Sequence, residues 1–150
     1  MEDGPKAAYL AADTERSAAF HGVRFSMPDS FGKSSHLAAR LFYGLGEAGR
    51  QVPYAKAIFA AHFTENMDIA DPEKLALIAQ RAGISRSEFT DLASAQGSKD
   101  ALAGAVQDAI DSEIWGSPFF VLDGEGFFGA DRLPQLDWRL ASKAGGGGDK

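Results

Sequence analysis

The residues best suited to binding or catalysis lie close together in the run WGSPFFVLDGEGFFGADR, residues 115–132. Ser117-Pro118 can hold a cis peptide bond, although the same pair also occurs in ordinary trans turns. Asp131 carries a carboxylate at the expected start of a helix, where an acid serves as an N-cap and can also bind a ligand. The run therefore predicts a bent backbone segment and a carboxylate near it.

Other residue types exclude several kinds of chemistry. The chain has no cysteine, so it contains no disulfide, no Cys-x-x-Cys redox pair and no thiolate nucleophile. His21, His36 and His62 are far apart in the sequence and lack the spacing of metal ligands. We therefore predict no metal site.

A hairpin and a helix are expected to position Ser117 and Asp131. Residues 119–122 are apolar and partly aromatic, as in a short strand. Asp123-Gly124 suits a two-residue hairpin turn, and Phe127-Phe128 is the expected returning strand. Aromatic residues of this region and of the upstream helices are expected to pack in the core, namely Tyr9, Phe59, Trp115, Phe119, Phe120, Phe127 and Phe128. For Tyr9 and Phe59 the alternative is a place in the wall of a substrate pocket, although core packing is favoured.

Upstream of the hairpin, apolar residues at helical spacing and capping signals predict a series of helices. Asp71-Pro72, for example, combines an acidic cap with a proline at the first helical position. Ser85 and Glu88 have the spacing of a capping box. The expected first residues or caps of the helices are Pro5, Ser34 or Ser35, Pro53, Asp71, Ser85 and Ser98.

Length, composition and charge are typical of a single globular domain. The chain has 150 residues, of which 45% are hydrophobic, and its net charge is −6. This charge and the absence of a basic run argue against nucleic acid as a partner. Neither a membrane-spanning stretch nor the layout of a signal peptide is recognisable, so no membrane partner and a cytoplasmic location are expected.

The run 115–132 resembles the end of the thioredoxin-like fold in 2-hydroxychromene-2-carboxylate isomerases and kappa-class glutathione transferases. The family pattern there is (V/F)-x-G-x-P-(T/F)-x-V, a turn with glycine, an aromatic pair, and F-G-x-D-R-(L/M). Residues 5–16 are similar to the family segment P-x-K-x-x-Y-x-x-x-D-x-x-R. Residues 57–72 are similar to the isomerase segment A-I-F-x-A-x-F-x-x-x-x-D-I-x-D-P.

The resemblance implies an α/β fold of the thioredoxin-like, DsbA-like type that is mostly helical in this chain. Residues 1–33 and 97–142 would form a partial thioredoxin-like domain, 34–96 a helical insert, and 143–150 a disordered tail. A family member also has a strand–helix–strand block before the position of Pro5, with the serine that activates glutathione. We expect the catalytic serine upstream of Met1.

The resemblance also implies glutathione as the cofactor. The backbone of Ser117, next to a cis Pro118, would pair with the cysteinyl part of glutathione. Asp131 would bind the γ-glutamyl ammonium, and Ala130 stands where the kappa class often has a serine. Lys6 matches a family lysine near the glutathione site, although it also suits a solvated helix surface.

The implied function is a glutathione-dependent isomerase that acts on a small aromatic substrate and is impaired in this chain. The isomerase-like segment 57–72 favours it over two alternatives, a kappa-like transferase or peroxidase and a non-catalytic dimerising remnant. An isolated two-stranded sheet is marginal and leaves open edges. We therefore expect a homodimer that covers the hairpin edge.

Overall fold

The computed structural model describes residues 4–145. The chain divides into two compact units, Met1–Gly104 and Ala105–Lys150. The elements are α1 (Pro5–Phe20), α2 (His36–Gly44), α3 (Ala48–Phe63), α4 (Pro72–Arg81), α5 (Arg86–Ser94), α6 (Gln96–Asp111), β1 (Phe119–Leu122), β2 (Glu125–Phe128) and α7 (Leu133–Gly145), with a 3₁₀ turn (Ala130–Arg132) before α7. No helix in this described part is both long enough and apolar enough to cross a membrane.

The core of the first unit lies among α2, α3, α4 and α5. Leu41, Leu75 and Ile84 are buried in it, together with the large side chain of Tyr54. The Tyr54 hydroxyl donates to the carbonyl of Ala38 at 3.3 Å, so its polar end has a partner. Burial raises the pKa of Tyr54 above its ordinary value because it disfavours the charged phenolate.

Two of the predicted helix caps form. Asp71 begins α4 and accepts from the backbone N–H groups of Glu73 at 2.9 Å and Lys74 at 3.4 Å. Ser85 begins α5 and its Oγ accepts from the Glu88 N–H at 3.1 Å. The Glu88 carboxylate pairs with Arg50 at 2.6 Å, which joins the start of α5 to the first part of α3.

The prediction that α3 begins at Pro53 is wrong. The helix begins at Ala48, so Pro53 lies inside it. Its first turn is held by a 2.8 Å bond from the Gln51 N–H to the Glu47 carbonyl. The Gln51 side chain donates to the carbonyl of Phe42 in α2 at 3.0 Å. These bonds stabilise a helical turn before Pro53. The proline alone, read as the first residue of a helix, does not predict that turn.

The prediction that Ser98 caps α6 is also wrong. The helix begins at Gln96, and Ser98 is a buried helical residue of which only 3% is exposed. Gly44, the last residue of α2, lies against it. A methyl group on Gly44 would lie 2.3 Å from Ser98 Oγ and 2.9 Å from Ser98 Cβ. The close approach of the two helices therefore depends on a glycine at position 44.

A polar clasp joins the loop after α1 to the loop after α3. Asn66 Oδ1 accepts from the Asp29 N–H at 2.9 Å, and Asn66 Nδ2 donates to Asp29 Oδ2 at 2.8 Å. Lys33 Nζ donates to Asp68 Oδ2 at 2.6 Å. This hydrogen bond and a second one from the backbone of Ala70 hold the pKa of Asp68 below its ordinary value of 3.8.

The second unit contains the predicted hairpin. β1 and β2 pair antiparallel with Phe119 opposite Phe128, and the turn residues Asp123 and Gly124 have φ angles of 51° and 82°. Two ion pairs tie the turn end of the hairpin to α7. Arg139 pairs with Glu125 at 2.9 Å, and Lys143 pairs with Asp123.

Several aromatic residues predicted to be in the core are exposed instead. Phe127 is buried, but Phe128 is exposed and Trp115 is 72% exposed. Tyr9 and Phe59, on α1 and α3, are also exposed. In the second unit the physical reason is that a two-stranded hairpin provides too little surface to cover the apolar side chains on both of its faces.

The predicted domain boundaries stay a prediction. Residues 143–145 continue α7. The rest of the predicted tail, 146–150, lies outside the described residues.

We predict that Gly44→Ala lowers the free energy of unfolding by about 1–3 kcal/mol, because its methyl group would overlap Ser98. Urea denaturation measures the effect. Gly104→Ala in α6 is the matched control, since a methyl group there meets nothing within 4 Å. The cost of Gly44→Ala should shrink in a Ser98→Gly background, and an unchanged cost would contradict the proposed overlap.

We also predict that Asp68→Asn destabilises the chain near neutral pH and has a smaller effect in acid. The folded-state pKa of Asp68 is lowered, so its charge stabilises the fold above pH 3.8 and stops doing so as the pH falls through the folded value. Urea midpoints at about pH 6 and about pH 3 test this expectation. Asp91→Asn, which changes an exposed acid of α5, is the control. An equal effect of Asp68→Asn at both pH values would refute the prediction.

Candidate functional site

The Ser117-Pro118 peptide bond is cis, as the sequence predicts. Both residues are exposed and lie directly before β1. The Gly129 N–H donates to the Pro118 carbonyl at 2.9 Å. The hydrogen bonding between the two hairpin arms therefore continues past the end of the regular strands.

The outer edge of β1 is open at Ser117. In an antiparallel pair, residues alternately direct their backbone groups to the partner strand and away from it. Pro118 bonds toward the β2 arm, so the backbone N–H and C=O of Ser117, Phe119 and Val121 face the opposite edge. Within residues 4–145 no hydrogen bond engages the backbone of Ser117. An extended peptide can pair with such an edge.

Asp131 does not cap α7, contrary to the prediction. It lies within the 3₁₀ turn, whose N-cap is Gly129, and its side chain makes no capping hydrogen bond. Gly129 has a φ of 99°, and a methyl group there would lie 2.4 Å from Asp131 Oδ1. The carboxylate thus lies over Gly129 and is 72% exposed, which leaves it accessible to a ligand.

Arg132 adds a cation to this carboxylate, and the sequence analysis did not single it out. Its guanidinium lies 3.6 Å from Asp131 Oδ2, and both side chains are exposed. The sequence feature that could have identified Arg132 is the Asp-Arg pair, in which opposite charges are adjacent. Ala130, in the same turn, is exposed and brings no polar side-chain group.

Lys6 belongs to the first unit, whereas Ser117, Pro118, Ala130 and Asp131 belong to the second. It lies in the first turn of α1 and is exposed. Lys6 lines a groove of about 640 Å³ whose other walls include Leu10, Met27 and Phe31. The fold therefore brings together four of the five predicted binding residues.

Residues 2–141 match the family model of the DSBA-like thioredoxin domain, and the chain belongs to this family. A solved structure of 2-hydroxychromene-2-carboxylate isomerase superposes with a TM-score of 0.84 at 24% identity, over 93% of this chain and 68% of that one. These matches confirm the predicted fold class, a thioredoxin-like α/β fold that is mostly helical in this chain.

Two relatives are similar over the same length of 130 residues. The chain is 28% identical to a 2-hydroxychromene-2-carboxylate isomerase of Pseudomonas putida, over 86% of this chain and 63% of the relative. It is 27% identical to a protein of the same name from Pseudomonas sp. (strain C18), over 60% of that relative. The chain thus spans about three fifths of their length. The family resemblance seen in the motifs is confirmed.

Proposed function

We propose that the chain is part of a glutathione-dependent isomerase that acts on a small aromatic substrate of the 2-hydroxychromene-2-carboxylate type. The observation that carries this proposal is the hydrogen bond from Gly129 to Pro118. It joins the open backbone edge at Ser117 to the short turn that holds Asp131 and Arg132. The names of the relatives supply the reaction class.

The exposed groups fit the functional groups of glutathione. The free N–H and C=O of Ser117 suit antiparallel pairing with the cysteinyl residue. The Asp131 carboxylate matches the γ-glutamyl ammonium, and the Arg132 guanidinium matches the γ-glutamyl carboxylate. Ala130 offers no hydroxyl, so this turn provides one side-chain hydrogen bond fewer than a serine there would.

Bound glutathione would supply a thiol nucleophile for reversible addition to the unsaturated substrate. The residues described above bind and orient the tripeptide, and none of them activates the sulfur. A thiol with a pKa near ~8.5 is mostly protonated at neutral pH, so a hydrogen-bond donor aimed at the sulfur is required. We place this donor in a strand–helix–strand block that belongs before α1, and we propose that residues 1–150 alone are impaired.

We also propose that this chain alone forms a homodimer through β1. The open edge carries N–H and C=O groups of Phe119 and Val121, and β1 contains no charged residue to deter pairing. Two antiparallel copies of one edge satisfy each other about a two-fold axis. The exposed apolar side chain of Val121 would be covered in such a pair.

We predict that Asp131→Asn weakens glutathione binding roughly tenfold in a chain extended at its start by the part of the P. putida relative that the match does not cover. The loss follows from removing one charge-assisted partner of the ammonium. Isothermal titration calorimetry measures it. Asp137→Asn in α7 removes an equal charge outside the turn and is the control. Unchanged affinity in Asp131→Asn would contradict the assignment.

We also predict that isomerase activity is weak or absent in residues 1–150 and present in the extended chain. Equal activity in both would show that the donor does not come from the added block. Turnover of chloronitrobenzene or a hydroperoxide without isomerisation would instead indicate a kappa-like transferase or peroxidase.

For the dimer, we expect Val121→Pro to convert residues 1–150 to a monomer, because the lost N–H faces the open edge and not β2. Val121→Thr keeps this N–H and should remain dimeric. Light scattering coupled to gel filtration gives the mass, and a cooperatively folded wild-type monomer would exclude the dimer.

A further inference from the structure

The free backbone groups of the β1 edge recur at every second residue. Because the Pro118 carbonyl accepts from the Gly129 N–H, the backbone groups of Ser117, Phe119 and Val121 face away from β2. Ser117 and Val121 are both exposed. The free edge therefore extends from Ser117, at the cis bond, to Val121 near the end of β1.

Two-fold symmetry restricts how a second copy can pair with this edge. In a symmetric antiparallel pair, the contact of one residue with another is repeated with the two copies exchanged. If Phe119 meets Phe119 of the second copy, then Ser117 meets Val121 and every free residue of the edge is paired. A two-fold axis at Phe120 or Val121 leaves Ser117 without a partner in β1 of the second copy. The arrangement centred on Phe119 therefore makes the most hydrogen bonds.

A second copy in this arrangement uses the backbone groups that the proposed function gives to glutathione. The backbone of Ser117 has a single N–H and a single C=O, and antiparallel pairing with one residue engages both. The cysteinyl residue of glutathione and the partner's Val121 would need the same two groups. Glutathione and a second copy therefore exclude each other at Ser117.

Neither occupant can avoid the other by moving one residue along the chain. Pro118 has no backbone N–H to donate. Its carbonyl already accepts from the Gly129 N–H at 2.9 Å, inside the hairpin. The residue after Ser117 thus offers no alternative pairing position on the free edge.

We propose that glutathione and a second copy of this chain compete for the backbone of Ser117, so that glutathione binding separates the homodimer. This inference rests on the proposed function, which supplies both occupants, and it adds a regulation that connects them. Because linkage between two binding equilibria is reciprocal, dimerisation weakens glutathione binding to the same extent. Residues 1–150 at high concentration would therefore cover their own glutathione site.

Sedimentation equilibrium tests the proposal by measuring the dimer dissociation constant of residues 1–150 with and without reduced glutathione. Each separated copy binds one tripeptide, so glutathione at about nine times its Kd for the monomer should raise the dimer dissociation constant roughly a hundredfold. A glutathione analogue methylated at the cysteinyl backbone nitrogen is the control. It keeps the charged groups of the γ-glutamyl end but lacks the N–H that pairs with Ser117, so it should have little effect at the same concentration.

The reciprocal measurement uses the variant expected to be monomeric, Val121→Pro. Isothermal titration calorimetry should give this variant a glutathione affinity that does not depend on protein concentration, whereas the affinity of the wild type should fall as its concentration is raised. Circular dichroism checks that the variant is folded. Should it fail to fold, the wild type at low protein concentration supplies the Kd of the monomer.

Two further variants connect the competition to the proposed site. Asp131→Asn should need roughly ten times more glutathione to separate the dimer, because it removes the partner of the γ-glutamyl ammonium. Asp137→Asn in α7 is the matched control and should respond as the wild type does.

The outcomes separate this inference from the proposals on which it rests. A dimer that binds glutathione and keeps its dissociation constant overturns the competition and leaves the glutathione site and the dimer standing. A wild type that is monomeric without glutathione overturns the dimer and the competition together. A folded Val121→Pro variant that does not bind glutathione overturns the glutathione site in residues 1–150, and the competition with it, but not the dimer.

Discussion

The arrangement of the candidate site depends on the hydrogen bond between the Gly129 N–H and the Pro118 carbonyl. Because bonding alternates along an antiparallel pair, this one contact fixes which backbone groups of β1 meet β2 and which remain free. It also keeps the residue before the proline beside the 3₁₀ turn that carries Asp131. A backbone edge and a pair of opposite charges are thus combined without help from a long-range side-chain contact.

Local signals allowed the sequence to predict much of the fold. Asp123-Gly124 sets the hairpin turn, because both residues adopt positive φ angles. Asp71 stabilises the start of α4 with its own side chain, so its role was readable from its nearest neighbours. The cis bond at Ser117-Pro118 was predictable because proline follows a residue in a recognisable motif. The resemblance, and not periodicity, supplied the thioredoxin-like architecture.

Features set by distant residues were not predictable from local sequence. Ser98 has the residue type of a cap, but its burial against Gly44 depends on how α2 and α6 pack. The sequence correctly predicted that Asp131 lies near the start of a helix. A 3₁₀ turn precedes α7, however, and the N-cap of this turn is Gly129 and not Asp131. Hydrophobicity predicted that Phe59 would be buried, although no element of its unit covers it. The position of the Arg132 guanidinium beside Asp131 adds a positive charge to the candidate site, and the composition of the chain does not predict that position.

The ion pairs between α7 and the hairpin have a mechanical consequence. At one end the chain itself connects β2 to α7 through the 3₁₀ turn, whereas at the other end the ion pairs Arg139–Glu125 and Lys143–Asp123 join the two. Dissolved ions screen exposed charges but leave covalent connections untouched. Concentrated salt therefore weakens the contacts at the turn end of the hairpin and leaves the covalent connection at Gly129 intact.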